Sequence, residues 1–474
     1  MIFNSLDFII FFIIFLILYF SLPNTRSKVI LCLVGSYVFY GWWDWRFLSL
    51  IFTSTLVDFY LGARIEKERY SSKKKKYLLL SITANLGMLG VFKYFNFFID
   101  SFHNVTGLLG LGFNLTSLDI ILPVGISFYT FQTMSYTIDI YKGKLQAEND
   151  FMTFATYVAF FPQLVAGPIV RASHLIPQFK INHKFDKARL TEGFAQILLG
   201  FFKKIVIADS IAKIVETGFS YPETFSSLNL IIIVFLYAFQ IYCDFSGYSD
   251  IAIGIARMLG YDFPVNFRFP YFAKNFSDFW NRWHISLSSW LRDYLYFTIG
   301  GNRFGAKKTA RNLMITMLLG GLWHGASWTF VFWGLLHGIY LIIQRKLPKL
   351  QVIPDNLIIN FISNSVKIFT TFTLVCLAWI FFRAQSFDSA FVIIDKILAF
   401  ENMSVTSIKS PLLTLKVLIL ISFLVIGEAI YQRYPIDKIV LKRPILRYFA
   451  FSIFFWFILL FGTFSSNQFI YFQF

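Results

Sequence analysis

Phe8-Ile9-Ile10-Phe11-Phe12-Ile13-Ile14-Phe15-Leu16-Ile17-Leu18-Tyr19-Phe20 is an unbroken apolar run near the start of the chain. A secretory signal places basic residues before such a run and a small-residue cleavage site after it. Here the only charge before the run is Asp7, and Ser21-Leu22-Pro23-Asn24-Thr25-Arg26 follow it. Residues 5–22 therefore read as a retained transmembrane helix. The same character extends over the 474 residues, which are 57% hydrophobic, 20% aromatic and 15% charged, with a mean hydropathy of +0.61. Soluble chains carry about 25% charged residues. The polar surface is too small to cover a water-soluble globule, which excludes a soluble enzyme, a disordered protein and a disulfide scaffold. Cys32, Cys243 and Cys376 lie in apolar stretches without pairing or metal-site spacing, and say nothing about redox compartment.

A spanning helix needs about 20 mainly apolar residues. Candidates are 5–22, 27–41, 47–63, 77–99, 117–140, 192–215, 228–245, 360–382, 411–431 and 447–463. Lys and Arg exceed Asp and Glu by 43 to 26, an excess with a topological meaning because basic loops remain cytoplasmic. A soluble basic face for nucleic acid is not visible. Residues 64–76 hold seven basic side chains and 246–311 hold nine, so both are assigned to the cytoplasm, together with 171–190, 345–349 and 438–447. The loop 100–116, with Asp100 as its only charge, suits the outside. Three spans precede 64–76, which puts the amino terminus outside, and the last span leaves the tail 464–474 outside as well. Residues 151–170 and 312–344 begin and end on one side, the first broken at Pro162, Gly167 and Pro168, the second expected to bend near Gly320 and Gly321. Irregular backbone at membrane depth survives only against protein or a wet cavity. The chain is therefore expected to be an all-α polytopic protein with re-entrant segments around a cavity, without internal repeats.

Ionisable residues inside membrane segments are costly and mark sites or pathways. In Gly320-Gly321-Leu322-Trp323-His324-Gly325-Ala326-Ser327-Trp328, His324 stands midway along the hairpin. A neutral imidazole accepts a hydroxyl proton, the task of a general base; the alternative is a packing histidine bonded to a carbonyl. In Phe279-Trp280-Asn281-Arg282-Trp283-His284-Ile285-Ser286-Leu287-Ser288-Ser289-Trp290-Leu291-Arg292-Asp293 aromatics alternate with charge. That pattern fits a helix at the headgroup level, or a wall where Arg282, Arg292, Arg303, Lys307 and Lys308 hold donor phosphates. In Gln240-Ile241-Tyr242-Cys243-Asp244-Phe245-Ser246-Gly247-Tyr248, Asp244 closes an apolar run and is expected to pair with an arginine of 268–292. Cys243 has no basic neighbour and reads as a packing thiol. Gly107, Gly110 and Gly112 follow no strand and make no dinucleotide site. His103, His174, His183 and His337 show no metal spacing, and His337 reads as packing or interface. No metal is expected. From these patterns an enzyme, a transporter of acyl or lipid-linked cargo and a scaffold for a polysaccharide exporter all remain open, although the chain lacks the two related halves of many transporters.

Three of these motifs, Phe279–Leu287, Arg292-Asp293-Tyr294-Leu295-Tyr296 and Gly300-Gly301-Asn302-Arg303, resemble the membrane-bound O-acyltransferases of the bacterial alginate O-acetylase branch. So do Gly321-Leu322-Trp323-His324-Gly325-Ala326, Tyr242–Tyr248 and the tail Phe469-Ile470-Tyr471-Phe472-Gln473-Phe474. The resemblance implies one membrane domain over 1–474, a ring of about 10–12 helices in which a cytoplasmic donor tunnel meets an outward funnel. Under it the family's essential histidine falls on His324 and its second polar position on His284, with Arg282, Arg292, Asp244 and Trp323 in donor-binding or supporting places. It further implies a bacterial inner-membrane enzyme with no bound cofactor. The acyl group passes from acetyl-CoA, or from a carrier-protein thioester, towards a cell-surface polysaccharide, and a separate extracytoplasmic SGNH-hydrolase-like partner completes the transfer. The acceptor stays open among alginate, cellulose, other exopolysaccharides and peptidoglycan. The tail resembles a tyrosine motif linked to acyl relay in D-alanylation systems, which makes Tyr471 a candidate relay; an aromatic plug at the outer interface is the alternative.

Overall fold

The computed structural model describes residues 1–111, 115–165, 167–347, 357–400, 411–434, 436–464 and 469. Among them the regular elements are all helices, and six helical stretches are long and apolar enough to cross a membrane: Thr25–Lys67, Ser71–Leu108, Ser227–Met258, Ile358–Arg383, Leu415–Arg433 and Pro444–Phe461. The chain is a multi-pass membrane protein. Its contacts divide into two compact units, Met1–Phe194 with Ala252–Pro264, and Ala195–Ile251 with Val265–Phe474.

In the first unit the expected spans 27–41 and 47–63 are the helices Thr25–Asp44 and Leu48–Lys67. The chain turns between them because Asp44 leaves helical geometry (φ −159°, ψ 109°) and its carboxylate caps the Arg46 N–H. The basic stretch 64–76 is not a loop throughout, since Lys73 to Lys76 belong to the helix Ser71–Leu89. Two boundaries move for the same reason: sequence hydropathy does not register where hydrogen bonding stops. The helix expected at 117–140 begins only at Ile126, behind Gly125 in left-handed conformation, and helix fills most of the outer loop expected at 100–116 as far as Leu108. Asp58, buried within Leu48–Lys67, accepts hydrogen bonds from Ser81 Oγ and Asn85 Nδ2 on the neighbouring helix, as an intramembrane carboxylate requires.

The second unit is built on a hairpin. Gly305–His324 and Trp328–Lys346 run against each other. The bend is at Gly325 to Ser327, where Ser327 Oγ caps the Thr329 N–H, four residues beyond the Gly320-Gly321 pair near which it was expected. Gly321 instead marks close approach: a Cβ there would lie 2.2 Å from the Phe330 carbonyl oxygen, and one at Gly334 would lie 2.2 Å from that of Met317. The two backbones touch, which is how small residues pack helices where no hydrophobic drive separates protein from lipid. The segment 246–311 is likewise more than a loop. Ser227–Met258 carries the helix thirteen residues past its expected end. The short helices Phe276–Arg282 and Ile285–Trp290 follow, then the wide turn Leu291–Tyr296.

Candidate active site

His324 is the last residue of its helix and is 3% exposed. The Trp323 ring meets it at 5.1 Å between centroids, Trp333 at 5.1 Å and Phe382 at 5.3 Å, each roughly edge to face. His324 thus leaves the helix just where Gly325 turns to extended backbone, inside an aromatic cage.

His284 stands next to it. The two imidazole centroids are 6.5 Å apart, and Trp323 reaches both, 6.0 Å from the His284 ring. His284 is fully buried and adopts left-handed backbone geometry (φ 43°, ψ 55°), which is costly for a residue with a Cβ and clusters at functional sites. Asn266 holds it there. The Asn266 carbonyl accepts the Ile285 N–H at 2.9 Å, and its side-chain oxygen accepts the Ser286 N–H at 3.1 Å and the Ser286 hydroxyl at 2.9 Å. A backbone N–H can only donate, so the atom facing it is Asn266 Oδ1 and not the amide nitrogen. The same oxygen lies 3.3 Å from His284 Nδ1. With the Ser286 hydroxyl donating to the same Asn266 oxygen, the ring is assigned as the Nδ1 donor, which puts the lone pair on Nε2. Burial pushes this imidazole, which lies outside the six candidate spans, down to about 3, so it is neutral at physiological pH. Phe245 closes the other side, edge-on at 4.5 Å.

The remaining expected residues fall into separate pairs. Arg282 Nε donates to Asp278 at 2.7 Å one turn back in its helix, and Arg292 pairs with Asp293 at 2.8 Å with its side chain 55% exposed. Among the described residues the ion-pair partner of Asp244 is not an arginine of 268–292 but Lys204, at 2.7 Å, which also bonds Asp209 at 2.9 Å. Lys204 was passed over in an apolar stretch, yet two adjacent lysines inside a candidate span were themselves the signal, since such charges persist only when paired. The wide turn Phe202–Ala208 brings the lysine between its two carboxylates. Lys203 pairs with Asp250 at 2.8 Å, and Tyr242 donates to Glu428 at 2.6 Å. Nothing in the spacing around Asn266 marked it. His337 is fully buried among Phe279, Trp280, Trp333 and Tyr340, so it shares the Trp333 ring with His324. The free thiols of Cys32, Cys243 and Cys376 are all buried. Tyr471 lies outside the described residues.

The protein is thus a polytopic helical chain with two buried histidines, His324 at the bend of the hairpin and His284 beside it. The model of the membrane-bound O-acyltransferase family matches residues 147–383, which include both histidines, Asn266 and the Lys204 cluster. Over 418 residues the chain is 41% identical to AlgI of Pseudomonas putida, named a probable alginate O-acetylase, covering 87% of this chain and 84% of that one. It is 36% identical to a peptidoglycan O-acetyltransferase of Helicobacter pylori over 78% of this chain and 74% of the relative. It is 28% identical to a teichoic acid D-alanyltransferase of Streptococcus thermophilus over 55% and 68%. The chain belongs to the membrane-bound O-acyltransferase family, and it is an O-acyltransferase.

Proposed function

We propose that this enzyme moves an acetyl group from a cytoplasmic thioester, acetyl-CoA or an acylated carrier protein, to the outer face of the bacterial inner membrane for O-acetylation of a cell-surface polysaccharide. Both termini lie outside in this reading, and all 474 residues form one membrane domain. The names of the alginate and peptidoglycan relatives support a polysaccharide acceptor. The observation that carries the reading is the pair of buried imidazoles 6.5 Å apart across Trp323.

The chemistry follows from that pair. The acceptor hydroxyl oxygen attacks the thioester carbonyl carbon while His324 takes the hydroxyl proton. The C–S bond breaks, and the imidazolium returns that proton to the thiolate, so atoms and charge balance. His284, neutral beside the base, keeps a second positive charge out of the site while His324 takes that single proton. Arg282 and Arg292 contribute positive charge towards the anionic donor, and Asp244, through Lys204, fixes the helix that carries Phe245 against His284. Tyr471 supplies the first acceptor hydroxyl: a phenol loses its proton more readily than an aliphatic alcohol, and its ester is a reactive donor for the next step. An extracytoplasmic SGNH-hydrolase-like partner then takes the group to the polysaccharide. The test is surface acetylation at matched expression. His324→Ala and Tyr471→Phe are each expected to abolish it, and acetyl-tyrosine should accumulate on the carboxyl-terminal peptide when the partner is deleted. A fully active Tyr471→Phe protein would transfer the relay to the partner's own hydroxyl. A fully active His324→Ala protein would overturn the site.

A further inference from the structure

Asp58 is a fully buried carboxyl within Leu48–Lys67, and among the described residues it forms no ion pair. Its partners are neutral. Ser81 Oγ lies 2.5 Å from one carboxyl oxygen and Asn85 Nδ2 lies 2.7 Å from the other. Ser81 lies 2.9 Å from Thr137 Oγ1, where either hydroxyl can donate, and Thr137 reaches the Met134 carbonyl at 3.2 Å. Asn85 Oδ1 accepts from Ser54 at 3.0 Å and from Thr133 at 3.1 Å. Desolvation disfavours a charged carboxylate that no cation balances, and this network has a place for the neutralising proton. The acid O–H would donate to Ser81 Oγ, Ser81 would turn its own hydrogen to Thr137, and Thr137 would keep its bond to the Met134 carbonyl. Each hydroxyl then still has a partner to give to and one to take from.

A route leads to this carboxyl. Asp58, Gly62 and Glu66 follow at four-residue spacing on one helix face. Tyr136 and Ile140 of Ile126–Tyr141 lie opposite: a Cβ at Gly62 would be 2.7 Å from the Tyr136 ring and 3.1 Å from Ile140 Cδ1. Glu66 and Ile140, with Lys74 and Lys144, line a cavity of about 260 Å³ at the end assigned to the cytoplasm by charge. Tyr136 stands between cavity and carboxyl. Its hydroxyl accepts the Glu148 N–H at 2.9 Å, and it lies within electrostatic reach of Asp58, Glu66 and Glu148. Asp139, two residues past Thr137, falls on another face of that helix by the helical period. Ser71–Leu89 presents the neutral Ser81 and Asn85, while its lysines 73–76 lie at its start, towards the cavity. Phe151–Ala159 meets the Asp58 helix at Phe59, through Phe151 and Phe154. Thr25–Asp44 directs Lys28 to Asn182 and Tyr40 to the Val124 carbonyl.

We propose that Asp58 is a proton-binding site, loaded from that cavity past Glu66 and Tyr136, whose proton fastens Leu48–Lys67 to Ser71–Leu89 and Ile126–Tyr141. The site lies within the first unit and does not depend on the acyl-transfer chemistry. A proton from water in the cavity binds one carboxylate oxygen, and no bond of the protein breaks. A carboxyl protonated in the fold and ionised in the unfolded chain stabilises most on the acid side and loses that contribution as pH rises. The three helices are therefore expected to hold less firmly as the cavity becomes alkaline. Donors already occupy both carboxyl oxygens, so a metal cation would have to displace them, whereas a proton only reverses the direction of the Ser81 bond.

The experiment uses the full-length protein in proteoliposomes, read by infrared difference spectroscopy and thermal unfolding between about pH 5 and pH 9. Asp58→Asn imitates the protonated acid: its amide donates to Ser81 and its carbonyl still accepts from Asn85. The carbonyl band of a protonated carboxyl is expected in the wild type at the acid end, should fade towards the alkaline end, and should be missing from Asp58→Asn throughout. The melting temperature of the wild type should match that of Asp58→Asn at the acid end and fall below it at the alkaline end. Tyr136→Phe, which keeps the ring over Gly62, and Glu66→Gln should each slow exchange of the acid proton for deuterium at least tenfold. A band absent from the wild type at the acid end, unchanged across the range, or retained by Asp58→Asn would overturn the site. Exchange at the wild-type rate in both route variants would overturn the route. Stability set by sodium and not by pH would assign the carboxyl to a metal cation and overturn the proton. If Asp58→Asn fails to accumulate, Ser81→Ala decides: it removes the acceptor of the acid O–H and should shift the band, and an unmoved band would overturn the proposal.

Discussion

The contact between Asn266 and His284 can be tested by changing one atom. Asn266→Asp preserves the shape of the side chain and all of its acceptor bonds, while Ser249, which now accepts from Asn266 Nδ2 at 3.1 Å, can rotate to donate instead. The change places a carboxylate where an amide oxygen stands 3.3 Å from His284 Nδ1. At an effective dielectric of about 20, two unit charges at that separation attract by about 5 kcal/mol, equivalent to roughly 3–4 pKa units. An imidazole held down to about 3 by burial would then titrate between roughly 6 and 7. Its Nε2 lone pair would be lost to a proton on the acid side of that range. The sign is fixed: the variant is impaired as pH falls and recovers as pH rises. Because His324 is common to both proteins, the ratio of variant to wild-type donor cleavage isolates His284, and that ratio is expected to fall about fivefold between pH 8 and pH 6. A ratio that stays flat over that range would refute the assignment of the Nδ1 proton to the Asn266 bond. Asn266→Ala serves as the folding control, since it leaves the Ser286 N–H unsatisfied and should cost about 1–3 kcal/mol of stability.

Two further substitutions test the frame. Gly321→Ala puts a methyl 2.2 Å from the Phe330 carbonyl oxygen, so the hairpin helices must part by about 1 Å; overpacking of this kind costs about 1–3 kcal/mol, and His324, three residues on, should lose about 10²-fold in rate by misplacement. Thermal unfolding and donor cleavage measured on one preparation check both, and an unaltered protein would mean that the close approach is not required. Lys204→Ala leaves Asp209 and Asp244 buried without their cation and should destabilise by about 3–5 kcal/mol. Addition of Asp209→Asn and Asp244→Asn should restore the melting temperature, whereas no loss in the single variant would remove the buried triad from the account.

The class of fold was legible because apolar runs in lipid leave few options: a helix satisfies its own backbone, and no composition with 15% charge covers a soluble globule. The buried pair His324 and His284 drew attention in the sequence because titratable side chains in apolar company are conspicuous, and the motifs around them carried a family resemblance. Boundaries were less legible. The run of lysines at 73–76 looks like a loop by charge, yet it sits in a helix, because charge reports sidedness and not backbone hydrogen bonding. Gly320 and Gly321 looked like a bend because glycine serves both turns and close packing; the partner helix, not the local sequence, decides which. Asn266 was invisible because its value lies in three bonds to residues 18 and 20 positions away. The partner of Asp244 was misassigned to an arginine because a wide turn, which brings Lys204 into range, has no clear sequence signature.

The central claim is that His324 is the base that opens the thioester, and purified protein in proteoliposomes supplied with acetyl-CoA labelled on the acetyl group measures it most directly. The wild-type protein should release free CoA and transfer the label to the carboxyl-terminal peptide or to an added nucleophile. His324→Ala should lower the rate of CoA release by about 10²–10⁴ with unchanged insertion and thermal stability. CoA release by His324→Ala within threefold of wild type would contradict the account, and so would wild-type protein that carries the intact thioester across the bilayer without releasing CoA.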